Sequence, residues 1–234
     1  MGLTIHFQLA LRREASDLDD LRARWAVEEA RKLAVKMKRR GAFEEVGPLR
    51  WDALARAQAT DWLIRPMPGE PRREIVAEIH SIEGHMFCIG VGRDCEPLWL
   101  GLCRYPASVR AGGRELRVPR GAAWRLKGFS KTQYASLHGR EHFRRCHVAI
   151  VDFLAALRPL GFDVKISDEG HYWPRRSERA LRAEMEKMNR LVAAVAGIAK
   201  DVHEDDGGVQ AAIFAHPQFE RLEAEGADLL SKRR

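Results

Sequence analysis

Hydrophobic and polar residues alternate over the first ten positions, with the period of two that is typical of a β-strand with one buried face. The apolar positions are Leu3, Ile5, Phe7 and Leu9, and the polar positions between them are Thr4, His6 and Gln8. The next segment, 17–40, begins with acidic residues, ends with basic residues and is followed by Gly41. This charge order suits the helix dipole and glycine suits a left-handed stop, so 17–40 is predicted to be a helix.

Helical spacing of apolar residues returns in the second half of the chain. Apolar residues recur three and four positions apart in 139–158 and again in 177–203, which predicts two further long helices. A short helix fits 51–63, and the proline-rich segment 65–73 is predicted to be a loop. Pro217 is suited to open a last short helix.

Most of the segment 75–129 is predicted to form strands. Residues 85–91 and 98–105 flank the turn-like sequence GRDCEP, as the two strands of a β-hairpin do. A second hairpin is predicted to turn at Gly112-Gly113, because paired glycines suit the tight turn of a hairpin.

The order of these elements predicts the fold class. A short strand at 162–166 follows the second long helix, so the order is strand, helix, several strands, helix, strand and helix. This order favours an α+β fold, an antiparallel-rich mixed sheet with three main helices packed mostly on one face. Parallel pairing is compatible with the two places where a helix joins two strands. Residues 1–234 are predicted to form one domain, with 204–234 as a peripheral extension.

The composition predicts a globular protein. The 234 residues are 45% hydrophobic and 31% charged, which is enough apolar material for a core. No apolar run approaches the roughly 18–20 residues that cross a bilayer, and the first residues lack the pattern of a signal peptide. The four cysteines have no Cys-x-x-Cys spacing and are too few for a disulfide scaffold. We therefore expect a cytoplasmic protein with reduced thiols and no membrane partner.

Positive charge is concentrated in one stretch. The formal net charge is +7, and the only acidic residue within 104–131 is Glu115. The basic residues there are Arg104, Arg110, Arg114, Arg117, Arg120, Arg125, Lys127 and Lys131. Such a stretch favours contact with phosphates of nucleic acid or of a phosphorylated ligand, and Trp124, Phe129 and Tyr134 could stack on bases if they are exposed. The alternative is a solvated basic surface whose aromatic residues lie in the core.

A cluster of ionisable residues follows the strand predicted at 162–166. The sequence SDEGHYW, residues 167–173, contains Asp168, Glu169 and His171. Loops at strand ends often carry catalytic groups. The two carboxylates could hold a divalent metal ion, and the histidine could be a ligand or a general base. The alternative is a turn, which aspartate and glycine favour.

Two metal-ligand residue types occur at helical spacing in HGREHFRRCH, residues 138–147. His142 and Cys146 are four residues apart and would share one face of the predicted helix. With a third ligand from elsewhere, such as His171, they could bind zinc. The alternative is that His147, which lies in the apolar stripe, is a hydrogen-bonded core histidine beside a buried thiol.

The sequence FSKTQYAS, residues 129–136, precedes the same helix. Lys131, Thr132, Gln133 and Tyr134 offer polar groups near a helix N-terminus, which attracts anions, and Lys131 could reach a phosphate. The alternative is an irregular connection with an exposed lysine. Patterns for a phosphate loop, a dinucleotide-binding turn, a nucleophile elbow, a helix-turn-helix, a zinc finger and an RNP1 motif are absent from the sequence.

Six segments follow one another along the chain in a distinctive order. They are AFEEVG (42–47), GLCRYPA (101–107), FSKTQYAS (129–136), HFRRCH (142–147), SDEGHYW (167–173) and FERLEAEG (219–226). In these segments the chain resembles a family of uncharacterised bacterial proteins that open with MGLTIH-like sequence. The resemblance spans most of the chain and implies a bacterial source and a single co-inherited unit. It implies no activity, because none is assigned to that family.

Three functions are compatible with these patterns. The first is binding of nucleic acid or of a phosphorylated ligand by the 104–131 surface. The second is a metal-assisted hydrolase, for instance a phosphodiesterase, whose cleft would collect Lys131, Gln133, His142, Asp168, Glu169 and His171. The third is a non-catalytic protein-interaction module. The sequence does not show whether 129–136 and 167–173 meet in space, on which the second function depends.

Overall fold

A six-stranded sheet forms the centre of the molecule. The computed structural model describes residues 3–12, 19–67, 70–121, 123–202 and 210–231. The strands are β1 (Thr4–Leu11), β2 (Glu45–Val46), β3 (Asp61–Met67), β4 (Glu70–Ile79), β5 (Glu83–Gly90), β6 (Leu98–Arg104), β7 (Ser108–Ala111), β8 (Arg114–Arg117), β9 (Arg125–Lys131) and β10 (Phe162–Asp168). The α-helices are α1 (Asp19–Arg39), α2 (Ala53–Ala57), α3 (Arg140–Ala155), α4 (Glu178–Val202) and α5 (Phe219–Ser231).

The strand order places β1 inside the sheet. The order is β10-β1-β9-β6-β5-β2, while β3-β4 and β7-β8 form two separate hairpins. All strand pairs among the described residues are antiparallel. Strands β9 and β10, which α3 connects, run in the same direction, but β1 lies between them. The parallel pairing that the sequence left open therefore does not occur among the described strands.

Strand β1 has one apolar and one polar face. Leu9 is 2% exposed, whereas His6 and Gln8 are exposed. The register extends this division to both neighbours, because Leu9 lies opposite Leu126 of β9 and Val164 of β10. The apolar side is named the helix face below, and the side that carries His6 and Gln8 is named the open face.

Helices α1 and α3 cover the helix face. Small side chains let α1 approach the sheet closely, and Ala23, Val27 and Ala30 are fully buried. Phe43, just after α1, meets Phe153 of α3 edge to face, with 5.6 Å between the ring centroids. The two helices therefore close over one continuous core.

Helix α4 packs on α3 and pairs with α5. Four apolar residues form a second cluster around this pair, namely Ala193, Ala196, Ile213 and Leu222. The described part of the C-terminal extension, 210–231, is thus attached to α4. Within the described ranges, no helix combines the length and the apolar character needed to span a membrane.

Most of the predicted elements are confirmed. The three main helices, both hairpins and the α+β class agree with the structure, and residues 17, 18 and 203 of the predicted helices lie outside the described residues. The short helix predicted within 51–63 is confirmed, but it is limited to α2. The loop predicted at 65–73 is wrong for its described residues, because they belong to strands β3 and β4. Pro66 is tolerated in β3 because in a two-stranded ribbon its missing N–H can face away from the partner strand.

Candidate nucleic-acid interface

Three neighbouring strands present polar side chains on the open face. Read from β9 through β1 to β10, the cross-strand rows are Lys131–Thr4–Glu169, Phe129–His6–Ser167 and Lys127–Gln8–Lys165. Neighbouring strands lie about 4.8 Å apart, and successive rows lie about 7 Å apart. The six residues of the last two rows are all exposed. This part of the sheet is therefore an uncovered surface of mixed aromatic, cationic and amide character.

Phe129 is the apolar centre of the open face. It is 52% exposed, and its ring lies 6.3 Å from the ring of His6. The ammonium group of Lys131 lies 5.7 Å from the Phe129 ring centroid. An exposed ring beside cations can stack on a flat aromatic ligand while the cations meet negative charge.

The β3-β4 hairpin forms one wall of a groove beside these rows. A cavity of about 490 Å³ is lined by residues of the sheet and of the hairpin, including His6, Lys127, Phe129, Trp62 and Trp99. A second cavity of about 430 Å³ continues along β3 to Arg120 and Lys165. Trp62 and Lys127 line both cavities, so the two form one groove. Trp62 is 55% exposed and gives this wall an accessible aromatic ring.

A buried ion pair holds the hairpin against the sheet. Asp61, at the start of β3, accepts hydrogen bonds from Arg125 and, over 2.9 Å, from Lys127. The side chains of Arg125 and Asp61 are only 11% and 8% exposed, and the Arg125 guanidinium lies 4.1 Å above the ring of Tyr105. Burial raises the pKa of Asp61, but the hydrogen bonds from Arg125 and Lys127 outweigh it, so the pKa is lowered.

Arg125 and Lys127, both predicted to bind a ligand, differ in accessibility because of this ion pair. Arg125 is occupied inside the protein, where its charge stabilises the carboxylate of Asp61. Lys127 contacts the same carboxylate, yet half of its side chain remains exposed on the open face. The structure thus leaves Lys127, and not Arg125, accessible to a ligand.

Asp168, which the sequence suggested as catalytic, belongs to a buried hydrogen-bond network. Its carboxylate lies 2.9 Å from Nε2 of His147 and accepts from the backbone N–H groups of Gly170 and Trp173. Nδ1 of His147 lies 2.8 Å from the hydroxyl of Thr132. The side chains of Asp168 and His147 are 0% exposed, as is Thr132. Burial raises the pKa of Asp168, but these hydrogen bonds lower it overall.

The network links a hydroxyl, an imidazole and a carboxylate, as a catalytic triad does. Unlike the groups of a triad, these groups are not accessible to a substrate. A triad must present its nucleophile to a substrate, and the side chains of Thr132, His147 and Asp168 do not reach solvent. The network instead links three elements, because these residues lie at the end of β9, on α3 and at the end of β10. The segments 129–136 and 167–173 therefore lie on either side of β1, and His147 bridges Thr132 of the first to Asp168 of the second.

Glu169 and Lys131 lie at one end of the open face. Oε2 of Glu169 accepts from the backbone N–H of Thr4 over 2.9 Å, and its Oε1 lies 3.5 Å from Nε2 of His6. Nζ of Lys131 lies 3.7 Å from a carboxylate oxygen of Glu96. Both predicted residues thus share a surface, although each already has a local partner.

The remaining predicted binding residues divide between the surface and the interior. Arg104 lies 3.2 Å from the carboxylate of Asp20 and is oriented by it. Gln133 is 2% exposed and donates to the side chain of Asn189, so it is a core residue. Of these remaining residues, the exposed ones are Arg114, Arg117, Arg120 and Tyr134.

His142 and Cys146 are adjacent, but their ring and sulfur atoms already have other partners. Sγ of Cys146 lies 3.8 Å from Nε2 of His142. The same Nε2 lies 2.9 Å from the carbonyl oxygen of Arg93 and therefore carries the proton, while Nδ1 accepts from Arg145 over 3.3 Å. His171, suggested as a third ligand, lies beside α4, 3.6 Å from a glutamate. Among the described residues no group of three His, Cys, Asp or Glu side chains is placed to hold a metal ion.

Several groove residues were not identified from the sequence as site residues. His6 and Gln8 alternate with the apolar residues of β1, and Lys165 does so in β10, so their position on a polar face could have been noticed. Trp62 and Trp99 gave no such signal, because the sequence pattern does not distinguish an exposed tryptophan from a buried one.

Replacing Asp168 with Asn is expected to lower the free energy of unfolding by roughly 3 kcal/mol or more. The amide group would place N–H donors where the carboxylate now accepts, and the network would lose a buried charge. Because folding lowers the pKa of Asp168, its stabilisation is present above the unfolded value of about 3.9 and is lost as the pH falls through the folded value. Urea unfolding at neutral and acidic pH measures both effects. Asp163→Asn, exposed on the same strand, is the control, and equal stability of the two variants would contradict the structural role.

Replacing Arg125 with Ala is expected to destabilise the fold by roughly 3–5 kcal/mol, because Asp61 would stay buried without its main partner. Arg117→Ala, at an exposed position on β8, should change the free energy of unfolding by less than about 0.5 kcal/mol. Thermal and urea unfolding of the two variants provide the measurement. If both substitutions had the same small effect, the ion pair would not be what holds the hairpin on the sheet.

Comparison with known proteins adds no family to these observations. No protein-family model, curated protein or solved structure matches the chain. The resemblance to a bacterial family stays a prediction, and function is inferred from the side chains of the open face.

Proposed function

We propose that the open face binds single-stranded nucleic acid. The observation that carries this proposal is the exposed ring of Phe129, which has Lys127 and Lys131 on the same side of its strand and His6 on the next strand. Bases of a single strand stack on exposed aromatic rings, and basic side chains beside the rings contact the phosphates.

The cations of the open face and of the adjoining groove suit a phosphate backbone. Lys165 and Arg120 are exposed, and neither has an ion-pair partner among the described residues. Lys127 and Lys131 each form an ion pair with a carboxylate of the protein. Each therefore offers a ligand less than a full positive charge. Lys127 and Lys131 flank Phe129 along β9, so a base stacked on the ring would have cations beside it for the neighbouring phosphates.

The size of the surface fits a short stretch of nucleotides. The three rows extend over roughly 14 Å of strand. Two or three bases occupy a surface of this kind in RNA-binding domains that use a sheet. The neighbouring groove, with the exposed ring of Trp62, offers a second place for a base to stack.

A single strand is favoured over a duplex because stacking needs accessible base faces. In a duplex the faces are covered by neighbouring base pairs, so Phe129 could not reach them. A small phosphorylated ligand would use the same lysines, but it would not need an exposed aromatic ring between them. The combination of ring and cations therefore supports a base-bearing polyanion.

The metal-assisted hydrolase has less support. It would need Asp168 and His171 in one cleft with Lys131, but Asp168 is buried and His171 lies beside α4. Lys131 and Glu169 remain together on the open face. No observation on the described residues favours this second function over binding.

Replacing Phe129 with Ala is expected to weaken binding of short labelled uridine and thymidine oligonucleotides about 5- to 150-fold. Loss of one base–aromatic stack costs roughly 1–3 kcal/mol. Trp25→Ala is the matched control, because Trp25 is 56% exposed on α1, on the other side of the sheet. Fluorescence anisotropy at low and physiological salt measures the affinities. Equal losses in the two variants, or no binding by the wild-type protein at low salt, would refute the proposal.

Reversing one charge should change the salt dependence of binding. Lys165→Glu is expected to lower affinity at low salt and to reduce the slope of log affinity against log salt by about 0.7–1. Lys36→Glu makes the same change in net charge at an exposed position of α1, so it corrects for long-range electrostatics. If the two variants had identical slopes of log affinity against log salt, the phosphates would bind elsewhere on the protein.

A further inference from the structure

A cavity of about 360 Å³ lies where the start of α3 meets α4 and α5. Its lining includes Gly139 and Arg140 at the start of α3, Asn189 and Arg190 on α4, and Arg221 on α5. Among the described residues, it shares no lining residue with the groove beside the open face. The cavity is therefore separate from the surface proposed to bind nucleic acid.

A chain of hydrogen bonds fixes the orientation of the Asn189 side chain. The backbone N–H of Leu3 donates to Oε1 of Gln133 over 3.4 Å, so the amide nitrogen of Gln133 is left to face Asn189. That nitrogen donates to Oδ1 of Asn189, and the hydroxyl of Ser136 donates to the same oxygen over 3.1 Å. Because its oxygen is held by these two donors, Asn189 turns its NH₂ group away from them.

Two donors on residues that line the cavity have no acceptor. Asn189 is only 4% exposed, and its NH₂ group donates to none of the described residues. Nε of Arg190 is buried and likewise has no hydrogen-bond partner in the described part of the chain. Buried donors are nearly always paired in folded proteins, since an unpaired one is destabilising. These two therefore indicate an acceptor that the protein itself does not supply.

The arginines of the lining are not fully neutralised. Arg140 is exposed and forms no ion pair with a described residue. Arg190 and Arg221 share one carboxylate, that of Glu225, at 3.4 Å and 3.5 Å. Three guanidinium groups thus face a single acidic partner, and the excess charge suits an anion.

The start of α3 adds backbone donors to the cavity. Gly139 is the N-cap residue and has no side chain that could accept from the first turn of the helix. A helix N-terminus favours negative charge. The second carboxylate of the lining, Glu186, is already paired with Arg182 at 2.7 Å. It therefore adds little negative charge to oppose an anion.

We propose that this cavity binds a small organic oxyanion, a carboxylate or phosphate group on a compact apolar body. The anionic oxygens would accept from the NH₂ group of Asn189, from Nε of Arg190 and from the first N–H groups of α3, with Arg140 beside them. The volume is within the range of small-molecule sites. The body of the ligand would contact the apolar residues of the lining, which are Leu137, Met185, Pro217 and Leu222.

Isothermal titration calorimetry of the full chain with phenyl phosphate and with benzoate tests the proposal. Inorganic phosphate supplies the anion without the body, and phenol supplies the body without the anion. We expect phenyl phosphate or benzoate to bind more tightly than both of these controls, and the tighter of the two identifies the anionic group. Absence of binding by both compounds at millimolar concentrations would overturn the proposal. So would equal affinity for phenyl phosphate and inorganic phosphate, which would show only an adventitious ion.

A change at Asn189 tests the unpaired donor. Asn189→Asp keeps an oxygen that accepts from Gln133 and Ser136 and replaces the NH₂ group with a carboxylate oxygen. The lost hydrogen bond to a charged group is expected to weaken binding of the better ligand about 10- to 150-fold. Unchanged affinity in a folded Asn189→Asp variant would contradict the proposed contact.

A pair of charge reversals tests the site even if Asn189→Asp does not fold. Arg140→Glu places a negative charge in the lining and should weaken binding. Arg179→Glu makes the same change in net charge at an exposed position of α4 outside the lining, and it should leave the affinity unchanged. Equal affinities of these two variants would overturn the proposal. Binding is measured without nucleic acid, so this proposal and the proposed function succeed or fail separately.

Discussion

The position of β1 between β9 and β10 is the constraint on which the rest of the structure depends. Because its side chains alternate, β1 assigns one apolar and one polar face to the strands on both sides. A shift of register by one residue would move Phe7 to the surface and His6 into the core. The same strand pairing that buries the core therefore also places Phe129, His6 and Lys165 on the open face.

Buried polar contacts fix the elements around this strand. The network of Thr132, His147 and Asp168 joins β9, α3 and β10 on the helix face, and the pair of Asp61 and Arg125 joins the β3 hairpin to the opposite side. Both contacts occupy residue types that often perform catalysis. The side chains of the Thr132, His147 and Asp168 network do not reach solvent. Asp61 and Arg125 are nearly buried and are already paired with each other, so both contacts are structural.

The residues of the basic stretch lie in four different places in the fold. Arg125 is buried with its carboxylate, and Arg104 is held near the start of α1. Arg114 and Arg117 are exposed on the β7-β8 hairpin. Only a part of the stretch, with Lys127 at its centre, borders the open face. A continuous run of positive charge in a sequence is therefore not one continuous surface. The run is divided among separate strands, and Arg125, on the same side of β9 as Lys127, is covered by the β3-β4 hairpin.

The sequence by itself determined the elements that depend on local interactions. The charge order of α1 suits its dipole in any context, and Gly112 and Gly113 both have positive φ in the turn that they predicted. The fold class followed from the same signals. Only the tertiary structure decided which cations stay accessible, because Arg125 meets Asp61 from 64 positions away. A local sequence pattern cannot show a contact between residues so far apart in the chain. Whether a charged residue on a strand is exposed or buried depends on which other parts of the chain pack over it.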